Sequence, residues 1–273
     1  MQKESSKMLK LGLMGLGAIG VDVEKMVSEE CQGDIEIPAI LVKNPRAYRS
    51  LNESIVTTNF DEFIKTKPDV ILEVAGHQTI QKYAVEILRS GIDLLVTSVG
   101  AFTDDQLYDE CIATALGNGA KLIIPSAGIG SLDTLSAAAV GGLTSVHMIV
   151  RKDPSAWYGT HAETLFDLSS LTTPTIIFEG TPREGAALYP QNVNISAAVA
   201  LAGLGLDKTR LTIIADTEID THVCEIQATG AFGSYEFREN LTVAETNRKT
   251  GKIVGMAVMK TIKQMVSPVV VGV

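Results

Sequence analysis

The sequence lacks a basic excess. Its 23 Lys and Arg stand against 32 Asp and Glu, a formal net charge of −9 over 273 residues. A surface of that sign repels a phosphodiester backbone, so nucleic acid is excluded as an expected partner. Cysteine is scarce as well. Cys31, Cys111 and Cys224 lie far apart with no Cys-x-x-Cys spacing. Neither a disulfide framework nor a metal site is therefore expected, and a cytoplasmic location fits. No apolar run reaches the roughly 20 residues needed to cross a bilayer, so no membrane partner is expected, and no internal repeat or low-complexity tract occurs. Lys3, Lys7 and Lys10 precede an apolar stretch in the manner of a signal peptide. Glycines interrupt that stretch and Asp22 follows without a small-residue cleavage site, so the segment reads as mature protein. A chain of this length can bury a sizeable core, and two modest domains are expected.

What is present begins at Leu9, with an apolar run that breaks into Gly15-Leu16-Gly17-Ala18-Ile19-Gly20. In a dinucleotide-binding unit the first glycine of G-x-G-x-x-G turns the chain. The second admits the pyrophosphate to the backbone, and the third lets the next helix pack on the sheet. The anion then meets unpaired N–H groups and the positive end of the helix dipole. A glycine turn with no ligand is the other reading, and the context of the chain has to decide between them.

After this loop the pattern predicts a helix over 21–30 and a strand over 35–42 interrupted by Pro38. Lys43 and Asn44 end that strand where a ribose-binding acid is usual, so Lys43, Arg46 and Arg49 are candidates for a 2′-phosphate, or else a solvated basic loop. A short helix over 59–65, a buried strand over 70–75 and a helix over 80–90 follow. A strand over 94–97, a helix over 104–117 and a strand over 121–125 complete this half. Strands alternating with helices imply a parallel sheet whose ligands bind beyond the strand carboxyl ends. Ala75, Gly76 and His77 sit at one such end and Ser98 and Val99 at another. The second half reads as a helix over 132–141, a strand over 146–152, a loop-rich stretch over 153–185 and a helix over 194–202. Strands over 211–215, 222–228 and 234–237 and a closing helix over 253–265 follow. The expected fold is α/β, an N-terminal Rossmann dinucleotide-binding domain (1–127) followed by a C-terminal mixed α/β domain with helices on one face of its sheet (128–245). A final segment (246–273) is expected to pack back on the first domain.

Glu73-Val74-Ala75-Gly76-His77, Ser98-Val99-Gly100-Ala101, Ser126-Ala127-Gly128-Ile129-Gly130, Tyr189-Pro190-Gln191-Asn192-Val193-Asn194 and Gly230-Ala231-Phe232-Gly233 occur in this order. Together with the opening loop they resemble the L-aspartate dehydrogenase family from Leu11 to about Met265. The resemblance implies NAD(P)-dependent oxidative deamination of an amino acid to iminosuccinate, which hydrolyses to oxaloacetate and ammonia. It also implies a homodimer whose contacts lie in the second domain. Two family cofactor positions fall on Gly128, where the family usually has alanine, and on Asn194. Capping of the following helix is the other role open to Asn194.

The chain departs from the family at Thr221-His222-Val223-Cys224-Glu225-Ile226. The family pattern is N-x-H-E-I, whose histidine is the proposed catalytic residue. Aligned on Glu225-Ile226, that histidine falls on Cys224 and the asparagine on His222. The two side chains share a strand face, so His222 and Cys224 are the catalytic candidates. His161 and Asn192 are candidate substrate contacts, Arg151, Lys152 and Arg183 are cations available to a dicarboxylate, and His147 is expected to be structural. An amine dehydrogenase or imine reductase of the same fold, and a nucleotide-binding regulatory module without turnover, are the alternatives.

Overall fold

The computed structural model describes residues 8–44, 55–190, 194–244 and 247–272. The chain divides into two compact units, one comprising Met1–Pro125 with Gly255–Val271, the other Ser126–Val254 with Gly272–Val273.

The first unit runs β1 (Leu9–Met14), α1 (Ala18–Glu30), β2 (Ile35–Glu36), β3 (Ile40–Leu41), β4 (Val56–Thr57), α2 (Phe60–Lys65), β5 (Val70–Glu73), α3 (His77–Arg89), β6 (Asp93–Val96), α4 (Asp105–Asn118) and β7 (Leu122–Ile123). The strands are parallel in the order β4-β3-β1-β5-β6-β7, with β2 beside the start of β1. Proline has no N–H to give a ladder, and Pro38 divides what would otherwise be one strand into β2 and β3. Counting those two as one gives the doubly wound order, in which the chain reverses direction across the sheet beside β1. Leu11, Leu13, Ile71, Leu72, Leu94 and Leu95 are completely buried, as expected of strands covered on both faces. Local chemistry sets the helix ends. Asn59 Oδ1 accepts from the N–H groups of Asp61 and Glu62 and starts α2, and Gly119 ends α4 at φ +69°. The helix after the glycine loop begins at Ala18, ahead of the expected 21, because Ala18, Ile19 and Gly20 form its first turn.

The second unit runs α5 (Leu132–Gly141), β8 (Leu143–Lys152), α6 (Ala162–Leu165), β9 (Thr175–Gly180), α7 (Pro182–Leu188), α8 (Asn194–Ala202), β10 (Arg210–Ala215), β11 (His222–Gly230), β12 (Gly233–Leu241), β13 (Val243–Ala244) and β14 (Asn247–Gly251). The last helix, α9 (Ile253–Val266), begins here and continues into the first unit, where a Cβ at Gly255 would stand 3.4 Å from Asp22 Cβ on α1. The five-stranded sheet has the order β12-β11-β8-β10-β9. β8 and β10 are parallel and the other pairs antiparallel. Helix α5 packs on α8 and against β11, while α7 covers β9 and β10. The stretch expected to be loop-rich holds β9 and α7. Pro182 occupies the first turn of α7, where a missing N–H costs nothing, and Thr181 and Glu184 close a capping box around it.

Candidate functional site

The glycine loop is built as an anion cradle. Gly15 has φ +101°, and a Cβ there would lie 2.8 Å from the Val74 carbonyl oxygen. A Cβ on Gly20 would lie 2.6 Å from the Gly15 oxygen, so only glycine lets α1 come down on the turn. At Gly17 a Cβ would meet nothing within 4 Å. That glycine keeps a face of the backbone bare, toward the space a ligand needs. Gly17 caps α1 with no side-chain hydrogen bond, and no acid stands in the first turn. The N–H groups of Ala18, Ile19 and Gly20 thus keep their positive potential for a phosphate.

A cleft of about 560 Å³ opens beside this loop. Its walls are the loop itself, Leu41 at the end of β3 with Val42 and Lys43 after it, Thr58 after β4, Val74 and Ala75 after β5, and Gln78, Thr79, Lys82 and Tyr83 on α3. Asn44 follows Lys43 and is exposed. Arg46 and Arg49 lie outside the described residues.

Beneath Ala75 is a carboxylate that sequence reasoning missed. Glu73 is completely buried at the carboxyl end of β5. Its Oε1 accepts from the N–H groups of Ala75 and Gly76, both at 2.7 Å, and from Ser98 Oγ at 2.9 Å. Its Oε2 accepts from the Ser98 N–H at 3.1 Å. Burial pushes the carboxyl pKa up and these four donors oppose it. The result ties the loop after β5 to the loop after β6, so Ala75, Gly76 and Ser98 are placed by one side chain. Gly76 holds φ +105°, and the half-buried His77 opens α3. Val99 is buried in a 3₁₀ turn over Val99–Thr103. A lone acid within Val-Ile-Leu-Glu-Val-Ala was the available signal.

In the second unit the loop carrying Gly128 lies against α8. A Cβ on Gly128 would stand 3.1 Å from Ile195 Cγ2 and 3.5 Å from Val254 Cγ2, a tight fit for the alanine usual in the family. The neighbour of Ile195 is Asn194, so the two family cofactor positions come together. Asn194 is the first residue of α8 and not the cap before it. Asn192 lies outside the described residues.

His222 starts β11 opposite Lys152, the last residue of β8, and both are buried. Directly opposed residues share a face, so His222, Lys152 and Cys224 line one side of the sheet. The Lys152 ammonium sits 5.5 Å from the centre of the Trp157 ring. Cys224 pairs with Val150 on one side and Glu239 on the other. Burial pushes its thiol up to about 12, against the pull of Lys152. Glu239 in turn accepts from the Gly130 N–H, and burial raises its carboxyl pKa.

The other cations are engaged elsewhere. Arg183 forms a two-pronged pair with Asp207 at 2.6 and 2.8 Å. Arg151 lies next to Lys152 on β8 and so on the opposite face, near Asp216 at 3.5 Å and Glu225 at 3.4 Å. His161 is half-buried, 6.3 Å ring to ring from the buried Tyr189. His147 lies within β8, its Nε2 2.9 Å from Thr212 Oγ1, and burial lowers its pKa. Among the described residues no cluster of His, Cys, Asp and Glu suits a metal ion.

A doubly wound unit with a bare glycine cradle, joined in one chain to a mixed sheet carrying a buried imidazole and ammonium, defines the class of two-domain nicotinamide-dependent dehydrogenases. The family model "Homoserine dehydrogenase, NAD binding domain" matches residues 15–125, and "Aspartate dehydrogenase, C-terminal" matches residues 133–265. The L-aspartate dehydrogenase of Cupriavidus necator is 35% identical over 93% of this chain and 97% of that protein. The L-aspartate dehydrogenase of Pseudomonas aeruginosa has the same identity and coverage. The crystal structure of aspartate dehydrogenase from Thermotoga maritima superposes with a TM-score of 0.76 at 22% identity, over 97% of this chain and 99% of that one. The chain belongs to the L-aspartate dehydrogenase family.

Proposed function

We propose that this protein is an NAD(P)-dependent dehydrogenase that converts L-aspartate reversibly to iminosuccinate, which hydrolyses to oxaloacetate and ammonia. In this reading the first unit binds the dinucleotide, and the second supplies substrate residues and the contacts of a homodimer in the cytoplasm. The observation that carries the proposal is the shared buried face of His222 and Lys152.

The residues fit the cofactor, since the open face at Gly17, the uncapped start of α1 and the adjoining cleft suit a pyrophosphate and its nucleoside. When bound, the dinucleotide supplies the acceptor for the α-hydride. The substrate ammonium must first surrender a proton, so that the nitrogen lone pair can expel the hydride and leave an iminium. His222 is the proton acceptor proposed here, imidazole being suited to that exchange near neutral pH. The Lys152 ammonium, steadied by Trp157, offers a counter-charge to a substrate carboxylate. Cys224 is assigned no proton transfer, because a thiol pushed up to about 12 is neutral at working pH. The half-exposed Ile176 on the outermost strand β9 supports the homodimer reading, and three free, buried cysteines support the cytoplasmic one.

Reduction of NAD or NADP followed spectroscopically tests the proposal. Aspartate-dependent reduction, lost by about 10²- to 10⁴-fold in His222→Ala, is expected. Turnover only with amines that carry no carboxylate would favour an amine dehydrogenase, and an unchanged His222→Ala rate would sink the assignment of the base.

A further inference from the structure

We propose that Lys43 and Lys82 together form a subsite for the 2′-phosphate of the adenosine ribose, giving the chain a preference for NADP over NAD. The inference rests on the reading of the first unit as dinucleotide-binding. The carboxyl end of β3, beside β1, is where the adenosine ribose lies in a doubly wound sheet, and an acid there accepts hydrogen bonds from the ribose hydroxyls of NAD. Lys43 occupies that end, and among the described residues that line the cleft none is acidic.

The second cation comes from α3, far away in sequence. Gln78 and Lys82 are four residues apart, so they share a helix face, and both line the cleft. Tyr83 lines it too and is fixed by stacking on Phe60, with ring centres 4.2 Å apart and planes at 12°. The Lys82 ammonium lies 4.6 Å from the centre of the Tyr83 ring, a cation–π contact that holds a flexible side chain at the cleft. Among the described residues neither lysine is held in an ion pair. Two ammonium groups lining one cleft give it a positive potential that no described lining residue offsets, and a phosphate dianion is a ligand that such a potential favours. Thr58, also on the cleft wall, adds a hydroxyl donor.

Calorimetric titration of the full chain with adenosine 2′,5′-bisphosphate and with adenosine 5′-monophosphate tests the proposal, repeated with NADP and NAD. The wild-type protein is expected to bind the bisphosphate about tenfold more tightly than the monophosphate, with the advantage shrinking as salt rises. Lys82→Gln and Lys43→Gln each remove most of that advantage, while affinity for the monophosphate moves less than about twofold. Equal affinity of the wild type for both nucleotides would overturn the subsite. So would a Lys82→Gln variant that weakens both ligands alike or neither. If no nucleotide or dinucleotide binds, the cofactor reading of the cleft fails and this inference goes with it. Binding of the monophosphate without discrimination refutes only the subsite.

Discussion

Cys224 offers the sharpest test of how the second unit handles charge. Alignment on Glu225-Ile226 puts the family's histidine on Cys224, and a thiol serves as a base only as thiolate. Cys224 is 1% exposed. Burial lifts it from an ordinary 9.0 to about 12, with Glu239 and Glu225 adding to the rise and Lys152 opposing it. At pH 8 an ordinary thiol with that starting value is about one-tenth ionised, whereas Cys224 is ionised to roughly one part in ten thousand. Alkylation by iodoacetamide at pH 8 should therefore run about a thousandfold more slowly at Cys224 in the native protein than in denaturant, before any steric hindrance. Quenched time points, read by mass spectrometry of the peptide that carries Cys224, separate it from Cys31 and Cys111. The sign of the linkage follows from the same rise. The folded value exceeds the unfolded one, so the stabilisation is complete below about pH 9 and is lost as pH climbs to about 12. Its size is about 4 kcal/mol, at about 1.4 kcal/mol per pH unit. A native alkylation rate within tenfold of the denatured rate would refute the reasoning and return Cys224 to the list of bases.

The glycine loop separates folding from binding. Gly17→Ala meets no atom within 4 Å and should shift the melting temperature by little while weakening dinucleotide binding. Gly20→Ala must displace the Gly15 carbonyl at 2.6 Å and should cost about 1–3 kcal/mol in a denaturant titration. At Glu73, substitution by alanine strands the N–H groups of Ala75, Gly76 and Ser98, a net loss of about 1–3 kcal/mol. Because burial raises the Glu73 pKa, the stability it gives is fullest below the ordinary 4.5 and declines as pH rises through the folded value. The wild-type advantage over Glu73→Ala should therefore shrink from acid to neutral pH in urea unfolding. Gly128→Ala should push Ile195 by a few tenths of an ångström and cost under about 1.5 kcal/mol by thermal melting, with a larger proportional loss in cofactor affinity.

What the sequence discloses depends on how local the cause is. An apolar run entering G-x-G-x-x-G discloses β1 and its loop, because both signals lie within one turn of chain. Helices α5 and α8 have the bounds that their small-residue runs predict. The stretch between Asp153 and Gly185 misleads because its prolines read as breakers. Pro174 instead precedes β9, and Pro182 opens α7. The cofactor half of the site is legible where strand ends carry glycine and serine. Glu73 is not, since its meaning depends on Ser98, brought from a different strand. Lys82 is hidden for the same reason. It reads as solvated helix surface until the fold sets it on the cleft that holds Lys43.

The displaced histidine is best understood through the ladder. On β11 a move of two residues preserves the face and changes the rung. At Cys224 the rung is closed by Val150 and Glu239, and the small thiol leaves room for the branched side chain and the carboxylate beside it. An imidazole there would have to overfill a site that is 1% exposed. At His222 the rung is the last of β8 and the first of β11, and its neighbours are Lys152 and Leu241. The larger ring therefore stands at the strand end, beside a buried cation that Trp157 holds in place. The imidazole of His222 thus stands at the strand end on the same face as Cys224. The proposed catalytic role thus follows the imidazole and not the sequence position. In that proposal the substrate presents its nitrogen at the end of the sheet where Lys152 lies.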